Sequence, residues 1–207
     1  MSDNVPSHMK IVGSSSHTDD DREPNDFYAT GEMDFLDFLI QIDLEKKFFL
    51  SENIWEPACG EGNLCTVLES RGHNVRASDI IDRGYGEVLD FLSINAPNSF
   101  DGDIITNPPY KNDLDMAFIR KALDTVKNGR YVIMLFKTIF LASKKRYLLF
   151  NEYRPRFVYT YSRRIRIMKN NKKTKSNGNA LDYSWFVWQK GVEGEFQNVL
   201  ITPRDWR

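Results

Sequence analysis

Two consecutive prolines, Pro108 and Pro109, follow the short apolar run Asp103-Ile104-Ile105-Thr106, with Asn107 alone between them. The run predicts a strand. Proline lacks the backbone N–H that a ladder needs, and its ring blocks a helix interior. The chain must therefore leave the sheet in a stiff, extended turn directly after Asn107. Such a turn fixes the Asn107 amide, leaves the Pro108 carbonyl without an obligatory backbone partner, and holds the Tyr110 ring beside both. A rigid pair of acceptors next to a flat stacking surface suits an amino group on a planar ring. An ordinary proline-rich strand-to-helix loop has the same local sequence, so the residues upstream decide between the two readings.

Those residues alternate between helical and strand patterns. Phe35, Leu36, Phe38, Leu39, Ile42 and Leu44 fall close to helical spacing within residues 32–50. Asn53-Ile54-Trp55-Glu56 reads as a strand, Leu64, Val67 and Leu68 as the start of a helix ending near Gly72, and 74–78 as a second strand closed by Asp79. Residues 87–90 and 103–106 supply further strands. Asn112 or Asp113 can cap a helix carrying Phe118, Ile119, Leu123 and Val126, with Gly129 as its stop. Residues 131–136 form a continuous apolar strand, typical of a sheet covered on both faces. A helix over 138–150 and strands at 156–161 and 183–189 complete the pattern. The alternation predicts a doubly wound α/β fold in one domain: a seven-stranded, mostly parallel sheet with an antiparallel last strand.

Three constellations lie along this frame. The first is Glu56-Pro57-Ala58-Cys59-Gly60-Glu61-Gly62-Asn63, joining the first strand to the helix after it. Glycines there let the backbone approach a ligand and free a helix N-terminus. The third glycine of the dinucleotide fingerprint is missing, because Cys65 holds its position. The second is Asp79, placed where doubly wound folds hydrogen-bond ribose hydroxyls with an acid. With no phosphate-binding lysine nearby, it suits a nucleoside better than a nucleotide. The third is Asp90-Phe91, either a carboxylate and ring holding an adenine or a turn residue followed by a core phenylalanine.

Composition narrows the field. The formal net charge is −1, so global basicity does not announce nucleic acid. No apolar run approaches a membrane span, and the N-terminus lacks a charged start followed by an apolar stretch, so no secretory signal is expected. Cys59 and Cys65 stand without a second pair, and His8, His17 and His73 are scattered, so no metal site is expected. Both cysteines read as small buried residues of a cytoplasmic protein. Residues 1–25 are polar and acidic near Asp19-Asp20-Asp21, which predicts a flexible arm before a domain over 26–207.

Taken in order, Glu56-Pro57-Ala58-Cys59-Gly60-Glu61-Gly62, Asp79, Asp90-Phe91 and Asn107-Pro108-Pro109-Tyr110 resemble the amino-group methyltransferases that use S-adenosylmethionine. The likeness is strongest to DNA N6-adenine methyltransferases of the small, orphan or phage-borne kind, and covers residues 26–190. Upstream, Asp26-Phe27-Tyr28-Ala29-Thr30 resembles that family's N-terminal cofactor motif, though Gly31 follows where proline is usual. The resemblance implies a Rossmann-like class I methyltransferase fold. Tyr28, Thr30, Glu56, Pro57, Ala58, Cys59, Gly60, Gly62, Asp79 and Ile80 would hold the methionine and ribose parts of the cofactor. Asp90 and Phe91 would hold its adenine. Asn107 and the Pro108 carbonyl, stiffened by Pro109, would accept the target amino hydrogens, with Tyr110 stacked on a base flipped from the duplex.

A last feature runs from Arg163 to Lys175. It gathers Arg163, Arg164, Arg166, Lys169, Lys172, Lys173 and Lys175 without an acid, between the last two strands. Phosphate binding is expected there, in preference to a solvated loop. The partner implied is DNA, with RNA possible. No separate recognition domain fits between Asp90 and Asn107 or after the last strand, which predicts little or very short sequence specificity. An RNA base or a protein glutamine amide would satisfy the same acceptors, and a catalytically silent cofactor-binding subunit remains a third reading.

Overall fold

The computed structural model describes residues 28–110, 113–165, 167–169, 182–193 and 195–206. Its strands are β1 (Tyr28–Thr30), β2 (Asn53–Glu56), β3 (Asn74–Asp79), β4 (Glu87–Val88), β5 (Asp103–Thr106), β6 (Tyr131–Lys137), β7 (Phe157–Tyr161), β8 (Ile167–Lys169), β9 (Tyr183–Gln189) and β10 (Gln197–Ile201). Its helices are α1 (Glu32–Glu45), α2 (Asn63–Ser70), α3 (Leu114–Thr125) and α4 (Lys144–Glu152). Eight strands build one sheet in the order β10-β7-β9-β6-β5-β2-β3-β4. From β2, the chain adds β3 and β4 in parallel on one side, then β5 and β6 in parallel on the other. The winding reverses between β2 and β5, which opens a crevice at their C-terminal ends, where open α/β sheets bind ligands.

Successive residues of the central strands face opposite sides. Ile54, Ile105, Ile133 and Leu135 share one core with Phe35, Phe38 and Leu39 of α1 and with Leu64 and Leu68 of α2. Trp55, Ile104, Val132 and Met134 share the other with Phe118 and Ile119 of α3 and Leu149 of α4. Burial on both faces is why β6 reads as an unbroken apolar run. On α1, Phe35, Phe38, Leu39 and Ile42 form one buried stripe. The helix stops at Lys46, whose left-handed backbone returns its N–H to the Ile42 carbonyl. Phe38 stacks on Trp185 of β9 at 4.9 Å between ring centroids, fixing α1 on the sheet.

The expected antiparallel strand over 183–189 is β9, which runs against both β6 and β7. Three expectations need adjustment. The sheet has eight strands in place of seven. The last strand, β10, pairs parallel with β7 at the edge; only Val199 and Ile201 of it are buried, too short a pattern to announce a strand. The helix over 138–150 divides into a 3-10 turn, Thr138–Leu141, and α4. Ser143 makes the break: its backbone is extended, and its hydroxyl accepts the Arg146 N–H at 3.2 Å, restarting the helix. Before α3, Asp113 makes no side-chain cap bond; its carboxylate reaches Lys145 instead, at 2.7 Å. Asn112 and the arm of residues 1–25 lie outside the described residues.

Candidate active site

The loop after β2 is held by backbone bonds. Cys59 N–H reaches the Ser78 carbonyl, and Gly62 N–H the Cys59 carbonyl, both at 2.9 Å. Gly60 and Gly62 have φ of 56° and 87°, in the left-handed region that side chains avoid. A Cβ on Gly62 would lie 2.7 Å from the Tyr85 ring, so this glycine makes room for an aromatic that the sequence reading did not single out. The Tyr85 hydroxyl donates to Glu69 of α2 at 3.1 Å, and its carbonyl accepts the Cys59 thiol at 3.5 Å. Both cysteines are buried and unbridged. Burial first, then the charges of Glu56 and Asp79, pushes the Cys59 thiol up to about 12, so it stays a neutral packing group.

Glu56 closes β2 and is 1% exposed. Its Oε1 accepts the Ala58 N–H at 3.1 Å, across Pro57. Its Oε2 is buried without a hydrogen-bond partner among the described residues. Burial raises this carboxyl to about 8, against the lowering pull of the Thr106 hydroxyl and the Ala58 N–H. Thr106, at the end of neighbouring β5, is itself fully buried; its hydroxyl lies near enough to Glu56 to lower that carboxyl, yet the two make no hydrogen bond of good geometry. Two orphaned oxygens thus sit at adjacent strand ends, a cost a folded protein keeps where a ligand or water completes the bonding. The Thr30 hydroxyl, 2% exposed, is a third.

Asp79 closes β3. Its two oxygens accept the Gly60 N–H at 2.9 Å and the Ile81 N–H at 3.0 Å, tying the glycine loop to the acid loop. Each oxygen retains a second lone pair. Ile80 follows, exposed, and Val88, paired with Asp79 in the β3–β4 ladder, is exposed beside it. Asp90 caps a 3-10 turn, Phe91–Ser93, by accepting the Leu92 N–H at 3.0 Å. Phe91 is 2% exposed, its ring 5.3 Å from both Trp55 and Phe118. The geometry thus gives Phe91 to the core beneath the site.

At the end of β5, Pro108 is buried, and Asn107, Pro109 and Tyr110 are half-buried. The Tyr110 hydroxyl donates to Asn107 Oδ1 and lies 3.1 Å from the Leu135 carbonyl of β6. Its ring packs against both cores. The turn brings Asn107 and Tyr110 together as the prolines require, and adds a hydroxyl–amide bond that no sequence rule announces.

The remaining predicted residues divide. β1 pairs antiparallel with β8, setting Tyr28 opposite Lys169 and Thr30 opposite Ile167. Residues 28–30 of the upstream motif and 167–169 of the basic segment are thus two strands of one ribbon. Arg163 turns inward: its guanidinium bonds Asp34 at 3.2 Å and the buried Asp37 at 3.0 Å, and Arg204 holds the other Asp37 oxygen at 2.6 Å. This replaces the phosphate role expected of Arg163, because a buried carboxylate needs paired cations. Arg164 is exposed, 3.6 Å from Asp182. Arg166, Lys172, Lys173 and Lys175 lie outside the described residues. Among the described residues, no cluster of His, Cys, Asp and Glu is arranged to hold a metal, and no helix is long and apolar enough to cross a membrane.

No protein-family model matches the chain, and no curated protein matches it in sequence. Solved structures do match. A protein described as a class I S-adenosylmethionine-dependent methyltransferase from Listeria monocytogenes superposes with a TM-score of 0.53 at 17% identity, over 82% of this chain and 65% of its own. A protein described as the modification subunit of a type I restriction enzyme from Vibrio vulnificus gives 0.57 at 12% identity, over 87% of this chain and 48% of its own. One described as an RNA methyltransferase from Pyrococcus horikoshii gives 0.57 at 16% identity, over 82% and 91%. This chain therefore spans less than two thirds of the Listeria and Vibrio proteins. Strand order, crevice and these likenesses agree: the fold is that of the class I S-adenosylmethionine-dependent methyltransferases.

Proposed function

We propose that the chain transfers a methyl group from S-adenosylmethionine to the exocyclic N6 amino group of adenine in DNA. One observation carries the reading: an amide acceptor, Asn107, stands at the end of β5, beside the glycine loop that follows β2, across the point where the winding reverses.

The residues present fit the cofactor. Glu56 Oε2 and the Thr30 and Thr106 hydroxyls are buried and lack partners among the described residues, Asp79 has lone pairs to spare, and the glycine loop has backbone to offer. An ammonium, two ribose hydroxyls and an adenine edge would use such groups, with Ile80 and Val88 as apolar neighbours. When bound, the cofactor supplies an electrophilic methyl group.

The protein's part is positioning and charge. The exocyclic nitrogen of adenine is a poor nucleophile because its lone pair is delocalised into the ring. Asn107 Oδ1 and the Pro108 carbonyl accept its two hydrogens, draw it toward a tetrahedral shape and stabilise the positive charge it gains. Tyr110 can leave Asn107 Oδ1 to the incoming amine without moving its ring. Rotation about the C–O bond redirects its proton to the Leu135 carbonyl, already 3.1 Å away. The likeness to a restriction-enzyme modification subunit favours DNA as substrate. The likeness to an RNA methyltransferase over nearly all of that protein's length keeps RNA as the second reading.

The test is transfer of labelled methyl groups from S-adenosylmethionine to unmethylated DNA, total RNA and total protein in parallel, with nucleosides identified by mass spectrometry. N6-methyladenine in DNA is the expected product, reduced about 100-fold or more in Asn107→Ala. Label in RNA or protein alone would replace the substrate. No label, despite measured cofactor binding, would favour a silent subunit.

A further inference from the structure

A base that enters the crevice leaves its own strand behind, and that strand needs a surface. The segment after β6 offers one beside the catalytic turn. Phe140 anchors the segment, 3% exposed and stacked on Phe136 at 4.2 Å; Leu149 anchors it again, fully buried. Between and beside these anchors Ile139, Tyr147 and Leu148 are 67%, 64% and 59% exposed. Tyr147 and Leu148 share the outer face of α4 with Lys144, at helical spacing. Exposed apolar side chains grouped on one face of a helix mark a candidate contact surface.

Position and charge identify the occupant. Two ion pairs, Lys145 with Asp113 at 2.7 Å and Arg146 with Asp115 at 3.2 Å, bind the first turn of α4 to the start of α3, just past Tyr110. With Lys145 and Arg146 held by these acids, and Glu152 at the far end of α4 held by Arg120 at 3.2 Å, Lys144 is the cation that α4 turns to solvent beside Tyr147 and Leu148. A two-fold contact between copies would set lysine against lysine. A polyanion with flat apolar groups complements the face instead, because bases stack on aromatic rings while phosphates take the cations.

We propose that Lys144, Tyr147 and Leu148 hold the DNA strand flanking the target adenine, with Tyr147 under a neighbouring base and Lys144 on a phosphate. The proposal rests on the DNA reading above and deepens it.

The test is fluorescence anisotropy of a labelled, adenine-containing DNA duplex with the full chain and saturating S-adenosylhomocysteine, whose own affinity is measured separately. Tyr147→Ala is expected to weaken DNA binding about 5- to 100-fold, and Tyr147→Phe to restore it. Lys144→Ala should lower the slope of log affinity against log salt by about one. Cofactor affinity should not change in any of the three. Wild-type affinity in both Tyr147→Ala and Lys144→Ala would overturn the platform and leave the DNA reading intact. A wild-type chain that binds S-adenosylhomocysteine but only RNA, or no nucleic acid, would overturn both. Loss of self-association in Tyr147→Ala with DNA affinity intact would give the face to a second copy and overturn the proposal.

Discussion

The Tyr110 hydroxyl donates to Asn107 Oδ1, and the Leu135 carbonyl waits 3.1 Å from the same hydroxyl. One proton therefore serves two acceptors, and the amide is aimed without being blocked. Removing the hydroxyl alone isolates this effect. Tyr110→Phe keeps the ring and is expected to lower kcat about 3- to 10-fold, the worth of one hydrogen bond, with KM nearly unchanged. Tyr110→Ala also loses the ring and should raise KM. Equal kcat in Tyr110→Phe and the parent, measured by methyl transfer to an oligonucleotide, would remove the hydroxyl from the mechanism.

Glu56 makes stability depend on pH. Its carboxyl holds a proton to about pH 8 in the folded chain, against an ordinary value of 4.5, chiefly because it is buried. Between those values the folded state binds the extra proton, so stability falls as pH rises through the window. Glu56→Gln cannot ionise. Its stability relative to the parent should rise by roughly 2–4 kcal/mol between pH 5 and pH 9. Urea unfolding at both pH values reads the difference, and parallel curves would show that the carboxyl is solvated.

Gly62→Ala tests the glycine loop without touching polar chemistry. The new Cβ meets the Tyr85 ring at 2.7 Å on a backbone with φ of +87°. Clash and strain together should cost about 1–3 kcal/mol. Combining it with Tyr85→Ala relieves the clash but not the strain, so thermal unfolding should show Gly62→Ala costing less in the Tyr85→Ala background than in the parent, but still costing something. Strict additivity would mean that the two residues do not meet.

Neighbouring arginines should differ in kind. Arg163→Ala leaves the buried Asp37 with only Arg204 among its observed partners and should destabilise by about 1–3 kcal/mol. Arg164→Ala, on the surface, should leave stability within about 0.5 kcal/mol of the parent. Equal stability of the two variants by denaturant unfolding would refute the inward assignment of Arg163.

Much of the backbone frame around the candidate site was legible because its rules are local. Proline's ring forces the exit after Asn107 wherever that sequence stands, and a strand–glycine loop–helix pattern puts Asp79 at a strand end by chain length alone. Alternating helix and strand periods give the doubly wound sheet, since burial on one face or two is written into residue spacing. The tertiary structure decided what depends on partners far along the chain. It committed Phe91 to Trp55 and Phe118, and Arg163 to Asp37. It also paired β1 with β8, set Tyr85 over Gly62 and orphaned Thr106 beside Glu56. A short-range rule fixes what a residue's backbone can do. Where its side chain ends depends on the whole packed sheet, because desolvation and charge pairing are settled only when distant segments meet.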